Sequence, residues 1–234
     1  MIRGTPSHSI FGAGELALFD LTGKESGLNE KRIEGIVLGV VTNNQDKEGL
    51  GRVKVKFPWL SDGDESHWAR VATLMTGKEM GIFFLPDVGD EVVIGFDHGD
   101  INYPYVLGAL WSKANKPPIA NNDGKNNVRL LRSRSGHEIR FDDNQDEKKE
   151  MIEIRTKSGH RIQLNDASGQ EKIEIVDKTG NNSIIIDSAG NSITISSLSK
   201  LSINAKTIEL ESSGSMTIKS GTMLTIEGAM VKIN

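Results

Sequence analysis

The residues best equipped for chemistry are three carboxylate groups and two histidines. Asp62, Asp64 and Glu65, then Asp87, Asp90 and Glu91, then Asp97 and Asp100 lie close enough in sequence to suggest paired acids for hydrolysis or loops for calcium. Each group sits beside Gly or Pro, where Asp is favoured because its carboxylate bonds nearby backbone N–H groups. The spacing of an EF-hand is absent, so these groups read as turn formers. His137 and His160 follow Ser-Gly at matching places and could form a metal ring if copies of the chain met on an axis. Each precedes an apolar Ile at a corner, so a rim position without metal is the reading adopted. Arg129, Arg132 and Arg134, with the lysines of the Arg52–Phe57 segment, are basic enough to meet a nucleic acid. Stacking aromatics would have to accompany them, and Phe57 and Trp59 are as well explained as core. No catalytic residue, cofactor site, metal site or nucleic-acid partner is expected.

The elements around these residues divide the chain in two. All three Trp, both Tyr and all six Pro precede residue 119, and the sole aromatic after that is Phe141. Aromatics supply much of the burial in small cores, so the first half is expected to be globular and the second is not. Pro117-Pro118 and Asn121-Asn-Asp-Gly124 mark a corner between them. In the first half Ile33–Val41, Arg52–Phe57, Trp68–Leu74, Gly81–Leu85, Glu91–Phe96 and Tyr105–Leu110 read as strands separated by turn residues. About five strands in some 80 residues fit a small OB-fold barrel, with a small sandwich as the alternative.

The second half repeats an apolar–x–apolar triplet eleven times: Ile139–Phe141, Ile152–Ile154, Ile162–Leu164, Ile173–Ile175, Ile184–Ile186, Ile193–Ile195, Leu201–Ile203, Ile208–Leu210, Met216–Ile218, Leu224–Ile226 and Val231–Ile233. Successive steps of 13, 10, 11, 11, 9, 8, 7, 8, 8 and 7 residues mark a stacked β array. Period two puts both apolar residues of a triplet on one face and the residue between them in water. Burying two such side chains yields about 3–5 kcal/mol, whereas ordering eight residues costs about 8–16 kcal/mol of backbone entropy. One thin coil encloses no core; three chains around one axis do, with each strand hydrogen-bonded to other chains. The fold expected is therefore all-β: an OB barrel followed by an intertwined homotrimeric β-helix. Its core would hold Ile152, Ile154, Ile162, Leu164, Ile173, Ile175, Ile184, Ile186, Ile193, Ile195, Leu201, Ile203, Ile208, Leu210, Ile218, Leu224 and Ile226. The expected division is 1–32 as a docking segment, 33–114 as barrel, 115–134 as neck and 135–234 as needle.

Several motifs resemble, in order, those of VgrG proteins and phage baseplate spikes. They are Gly51-Arg-Val-Lys-Val-Lys-Phe-Pro-Trp59, Trp68-Ala-Arg-Val71, Phe84-Leu-Pro-Asp-Val-Gly-Asp-Glu-Val-Val93, Gly99-Asp-Ile-Asn-Tyr-Pro104 and Gly108-Ala-Leu-Trp111. Ser135-Gly-His-Glu-Ile139 and Ser158-Gly-His-Arg-Ile162 resemble the start of that family's needle. The resemblance implies a trimeric spike of a contractile injection system that punctures a target envelope and makes transient contact with its membrane. It further implies a separate hub protein at the barrel end and a PAAR-repeat protein at the tip, with effector cargo carried through it. The tip surface would be Gly228, Ala229, Met230, Val231, Ile233 and Asn234, where the repeat stops without a charged cap. The family's large hub module is not expected in the 32 residues before the barrel, and Pro117-Pro118 leaves no room for an inserted lysozyme domain.

Net charge −4 and a pI near 5.8 argue against a general polyanion binder. The sequence has no cysteine, which removes disulfides and Cys-based zinc sites. No apolar run approaches the roughly 18–20 residues of a membrane span, and no signal peptide is read at Leu16–Phe19, so synthesis in the cytoplasm is expected. Two other functions compete. A trimeric tail fibre or adhesin would carry a globular head after the needle, and a polysaccharide-degrading solenoid would need longer coils with a carboxylate-lined groove.

Overall fold

A computed structural model describes residues 32–60, 63 and 65–233. The docking segment 1–32, apart from Arg32, lies outside the described residues, as do Asp62, Asp64 and Asn234. The chain divides into two compact units at Ala120/Asn121. Among the described residues there is no α-helix, only a 3-10 turn at Asp97–Gly99. Among the described residues no helix is long and apolar enough to cross a membrane.

The first unit is a curled, OB-like sheet. Its strands are β1 (Val37–Asn43), β2 (Lys54–Lys56), β3 (Arg70–Val71), β6 (Glu91–Phe96) and β7 (Pro104–Ala109), ordered β2-β1-β6-β7-β3. A two-residue ladder, β4 (Thr76–Gly77) with β5 (Met80–Gly81), forms a separate hairpin. The two edges of the curl meet where Val53 and Ala69 exchange backbone hydrogen bonds of 3.0 and 2.7 Å. The alternation of the second expected strand is realised: Val53, Val55 and Phe57 are buried, while Lys54 and Lys56 lie on the other side.

The core is Val41, Val53, Val55, Phe57, Ala69, Val92, Ile94 and Val106. It is almost entirely aliphatic, which corrects the expectation that aromatics would fill it. Trp59 is half exposed, with its ring 5.5 Å from that of Phe57, and Trp111, Tyr103, Phe83 and Phe84 are more exposed still. A short curled sheet leaves an interior too narrow for indoles, and β-branched side chains fill it instead. Gly39 shows how narrow: a Cβ there would come within 3.2 Å of the Ile94 side chain. The expected strand at Gly81–Leu85 is also corrected, since after Gly81 the chain leaves the hairpin and holds Phe83 and Phe84 outward.

The second unit is an antiparallel meander in sequence order, from β8 (Val128–Arg132) and β9 (Glu138–Asp142) through β10 (Met151–Arg155), β11 (Arg161–Asn165) and β12 (Lys172–Val176) to β13 (Ser183–Asp187) and β14 (Ser192–Ser196). Six triplets, from Ile139–Phe141 to Ile193–Ile195, centre on β9 to β14. The predicted corners hold too, with Gly159, Gly169 and Gly180 at positive φ. Strand β8 falls inside the segment assigned to the neck. Hydrogen bonding differs from the expectation: β8 to β14 pair within one chain and not between chains. Steps of nine to thirteen residues leave four to eight for a turn after a five-residue strand, which is enough for a hairpin. Beyond Ser196 the step is seven or eight, and no strand is paired among residues 197–233.

Ile94→Ala should destabilise the barrel by about 2–5 kcal/mol through the cavity it leaves. Gly39→Ala should cost about 1–3 kcal/mol by overpacking. Urea unfolding followed by tryptophan fluorescence measures both.

Candidate assembly surfaces

The meander has two unlike faces. One carries two parallel columns of apolar side chains in direct cross-strand register. The first column runs Leu131, Ile139, Ile154, Ile162, Ile175, Ile184, Ile195, and the second Phe141, Ile152, Leu164, Ile173, Ile186, Ile193. Each residue packs against its column neighbours, yet all thirteen remain 39–70% exposed because the sheet does not cover its own face. A contiguous apolar patch of this extent marks an interaction surface.

The opposite face is polar and covers itself. Its central column runs Leu130, Arg140, Glu153, Gln163, Glu174, Ile185, Thr194. Glu138, Glu153 and Glu174 are buried there under the stems of longer cations, and Glu153 and Glu174, each the middle of a triplet, correct the expectation that this position faces water. Glu174 receives Arg161 and Lys172, each at 2.9 Å. Glu138 lies between Arg132 and Arg155, the latter at 3.2 Å. Burial pushes both carboxyls up, but the neighbouring cations outweigh it and hold them below the ordinary glutamate value of 4.5.

The remaining expected site residues stand apart from these faces. Leu201, Ile203, Ile208, Leu210, Met216, Ile218, Leu224 and Ile226 lie on unpaired, exposed backbone, as do Gly228, Ala229, Met230, Val231 and Ile233 of the expected tip. The Asp87–Asp90 and Asp97–Asp100 pairs close turns: Asp87 N donates to Asp90 Oδ2 at 2.9 Å, and Asp100 N donates to the Asp97 carbonyl at 2.9 Å. Glu65 pairs with Lys54 at 3.2 Å. Arg129 is ion-paired to Asp143. Among the described residues no group of three or more acidic or histidine side chains could hold a metal. His137 and His160 sit in hairpin corners, where each ring accepts a backbone hydrogen bond.

The sequence reading missed one surface. Leu50, Met75, Met80, Phe83 and Phe84 are 51–77% exposed around the β4–β5 hairpin and line an open hollow of about 560 Å³, and Leu74 nearby in sequence is 93% exposed. Their spacing follows no strand period, so the only signal was an unusual density of large apolar residues between Leu74 and Leu85.

Residues 37–111 match the family described as the type VI secretion system/phage-baseplate injector OB domain. The barrel is similar to an injector OB domain. The chain is also similar to the type VI secretion system spike protein VgrG2a of Pseudomonas aeruginosa, 31% identical over 142 residues. That alignment covers 55% of this chain and 17% of the relative. VgrG3 of Vibrio cholerae is 32% identical over 124 residues, 48% of this chain and 12% of the relative. VgrG5 of Pseudomonas aeruginosa is 38% identical over 95 residues, 37% of this chain and 12% of the relative. The chain thus spans less than a fifth of the length of these spike proteins. Within the injector OB domain, the matched segment contains the buried valines, the exposed hairpin and the turn aspartates alike.

Glu174→Ala should destabilise the meander by about 1–2 kcal/mol, because Arg161 and Lys172 lose a shared, buried acceptor. Thr194→Ala, exposed on the same face, should be silent. Thermal unfolding by circular dichroism separates the two. The lowered carboxyls contribute stability above the ordinary glutamate range and lose it as pH falls through their folded values. Stability should therefore drop below about pH 4.5, and Glu174→Gln should flatten that drop.

Proposed function

We propose that this chain is the structural central spike of a contractile injection system, a homotrimer that punctures a target envelope mechanically and catalyses nothing. The observation that carries the reading is the pairing, in one chain, of an injector OB domain with a sheet whose whole apolar face has no cover. Three copies of that face, turned inward about an axis, bury one another and leave the Glu138 and Glu174 ion pairs on the outside. The prism is stiff because its hydrogen bonds run along its length from strand to strand. Residues 197–233 continue the needle with strands that pair between chains, since their apolar triplets persist where no ladder forms within the chain.

The partners follow from the remaining surfaces. The exposed hairpin around Phe83 and Phe84 suits a hub protein at the barrel end, with residues 1–32 as an added docking segment. Met230, Val231 and Ile233, all exposed on unpaired backbone, suit a PAAR-repeat tip protein that brings an effector. Synthesis in the cytoplasm and ejection with the particle fit the same reading.

Light scattering should give three times the chain mass of 25.5 kDa; a mass of one chain at micromolar concentration would sink the proposal. Ile175→Asp, which sets three carboxylates on the axis, should shift the mass to one chain through burial and mutual repulsion. Particles assembled with that variant should fail to puncture.

A further inference from the structure

One edge of the meander is closed by corners built to a common plan. The β8–β9, β10–β11 and β12–β13 turns begin at Ser133, Thr156 and Asp177 and end at His137, His160 and Asn182. In each, the first residue's side-chain oxygen accepts the backbone N–H of the last, at 3.1, 3.1 and 3.2 Å. In each, a glycine at positive φ, Gly136, Gly159 or Gly180, donates to the carbonyl of the first residue. The last residue then reaches to the next corner along the edge. Lys157 N–H donates to His137 Nδ1 at 3.4 Å, and Lys178 N–H donates to His160 Nδ1 at 3.2 Å. Leu198 N–H, just past β14, donates to Asn182 Oδ1 at 3.3 Å. Three equivalent rungs therefore tie four successive corners, with two different acceptors.

The acceptors differ in one respect that matters. An imidazole accepts at Nδ1 only while that nitrogen is unprotonated, and histidine is the side chain whose charge ordinarily changes between about pH 5 and 8. An asparagine carbonyl accepts at any pH. We propose that the two histidine rungs form an acid-sensitive clasp along this edge, released on imidazole protonation, while the asparagine rung at the start of residues 197–233 stays closed.

The charged groups around the two rings are cations and carboxylates that already have partners. Around His137 stand Arg134 in its own turn, the Lys157 side chain packed over Gly136, and Glu138, which is held by Arg132 and Arg155. Around His160 stand Lys157 three positions before it, Lys178 packed over Gly159, and Arg161, Asp177 and Lys200, which line the same hollow as the ring. Thr179 and Asn182 hydrogen-bond the Asp177 carboxylate and hold it down at about 2.

Amide hydrogen exchange of the full-length protein, corrected for intrinsic rates, tests the clasp. Protection at Lys157 and Lys178 should fall roughly fivefold or more between about pH 8 and pH 5, the factor that one lost hydrogen bond carries. Leu198 should keep its protection over the same range. Equal protection of Lys157 and Lys178 at both pH values would overturn the proposal, and so would a matching fall at Leu198. In the double variant His137→Asn, His160→Asn, which copies the natural third rung, all three amides should become independent of pH. A persistent fall at Lys157 and Lys178 in that variant would assign the effect to another group and refute the clasp. If the variant does not fold, the comparison within the wild-type protein decides alone.

Discussion

Everything in the second unit follows from one constraint: short strands that alternate strictly present an apolar face which a single sheet cannot cover by itself. Each strand places two large aliphatics on one side and a polar residue with long charged neighbours on the other. The charged side chains fold over Glu138, Glu153 and Glu174 and solve the polar face locally. No comparable local solution exists for the aliphatics, because β8 to β14 form one layer and a layer needs another to bury it. The cover must come from outside the sheet.

Step length then decides which hydrogen bonds the chain can make for itself. With nine or more residues per repeat, a five-residue strand leaves enough chain for a corner carrying a glycine at positive φ, and the strands fold back as a meander. With seven or eight, the triplets persist but the corner shrinks to two or three residues, and residues 197–233 carry no internal ladder. The same side-chain pattern is thus used twice. Within-chain pairing builds the first stretch, and the second keeps the apolar pattern without a ladder of its own. The barrel obeys a different limit. Its narrow interior accepts Val, Ile, Ala and the Phe57 ring and leaves Trp59, Phe83, Phe84, Tyr103 and Trp111 outward, as surface available for contact.

Much of this was legible in the residues. The alternation through Val53, Val55 and Phe57 gave the correct faces, and Glu91–Phe96 was read to the residue. Six triplets landed on strands because period two is a direct statement about a pleated backbone. Other features were hidden for physical reasons. Strand β8 was missed because its apolar-face residues are Arg129 and Leu131, so that the visible triplet, Val128 and Leu130, points the wrong way. Glu174 looked solvent-facing because its burial depends on Arg161 and Lys172 in neighbouring positions of the folded sheet. The corner rungs join residues twenty, eighteen and sixteen apart, and only the repeated Ser-Gly-His hinted at them. The exposed hairpin has no periodicity for a sequence reading to find.

The central claim is that two further copies of this chain cover the aliphatic face, and a three-dimensional reconstruction of the purified protein by electron cryomicroscopy tests it most directly. The account predicts three β8–β14 sheets around a threefold axis, with Ile184 and Ile195 turned to that axis and Glu174 outside. A single sheet, or one whose aliphatic columns face solvent or are covered by its own residues 197–233, would contradict it.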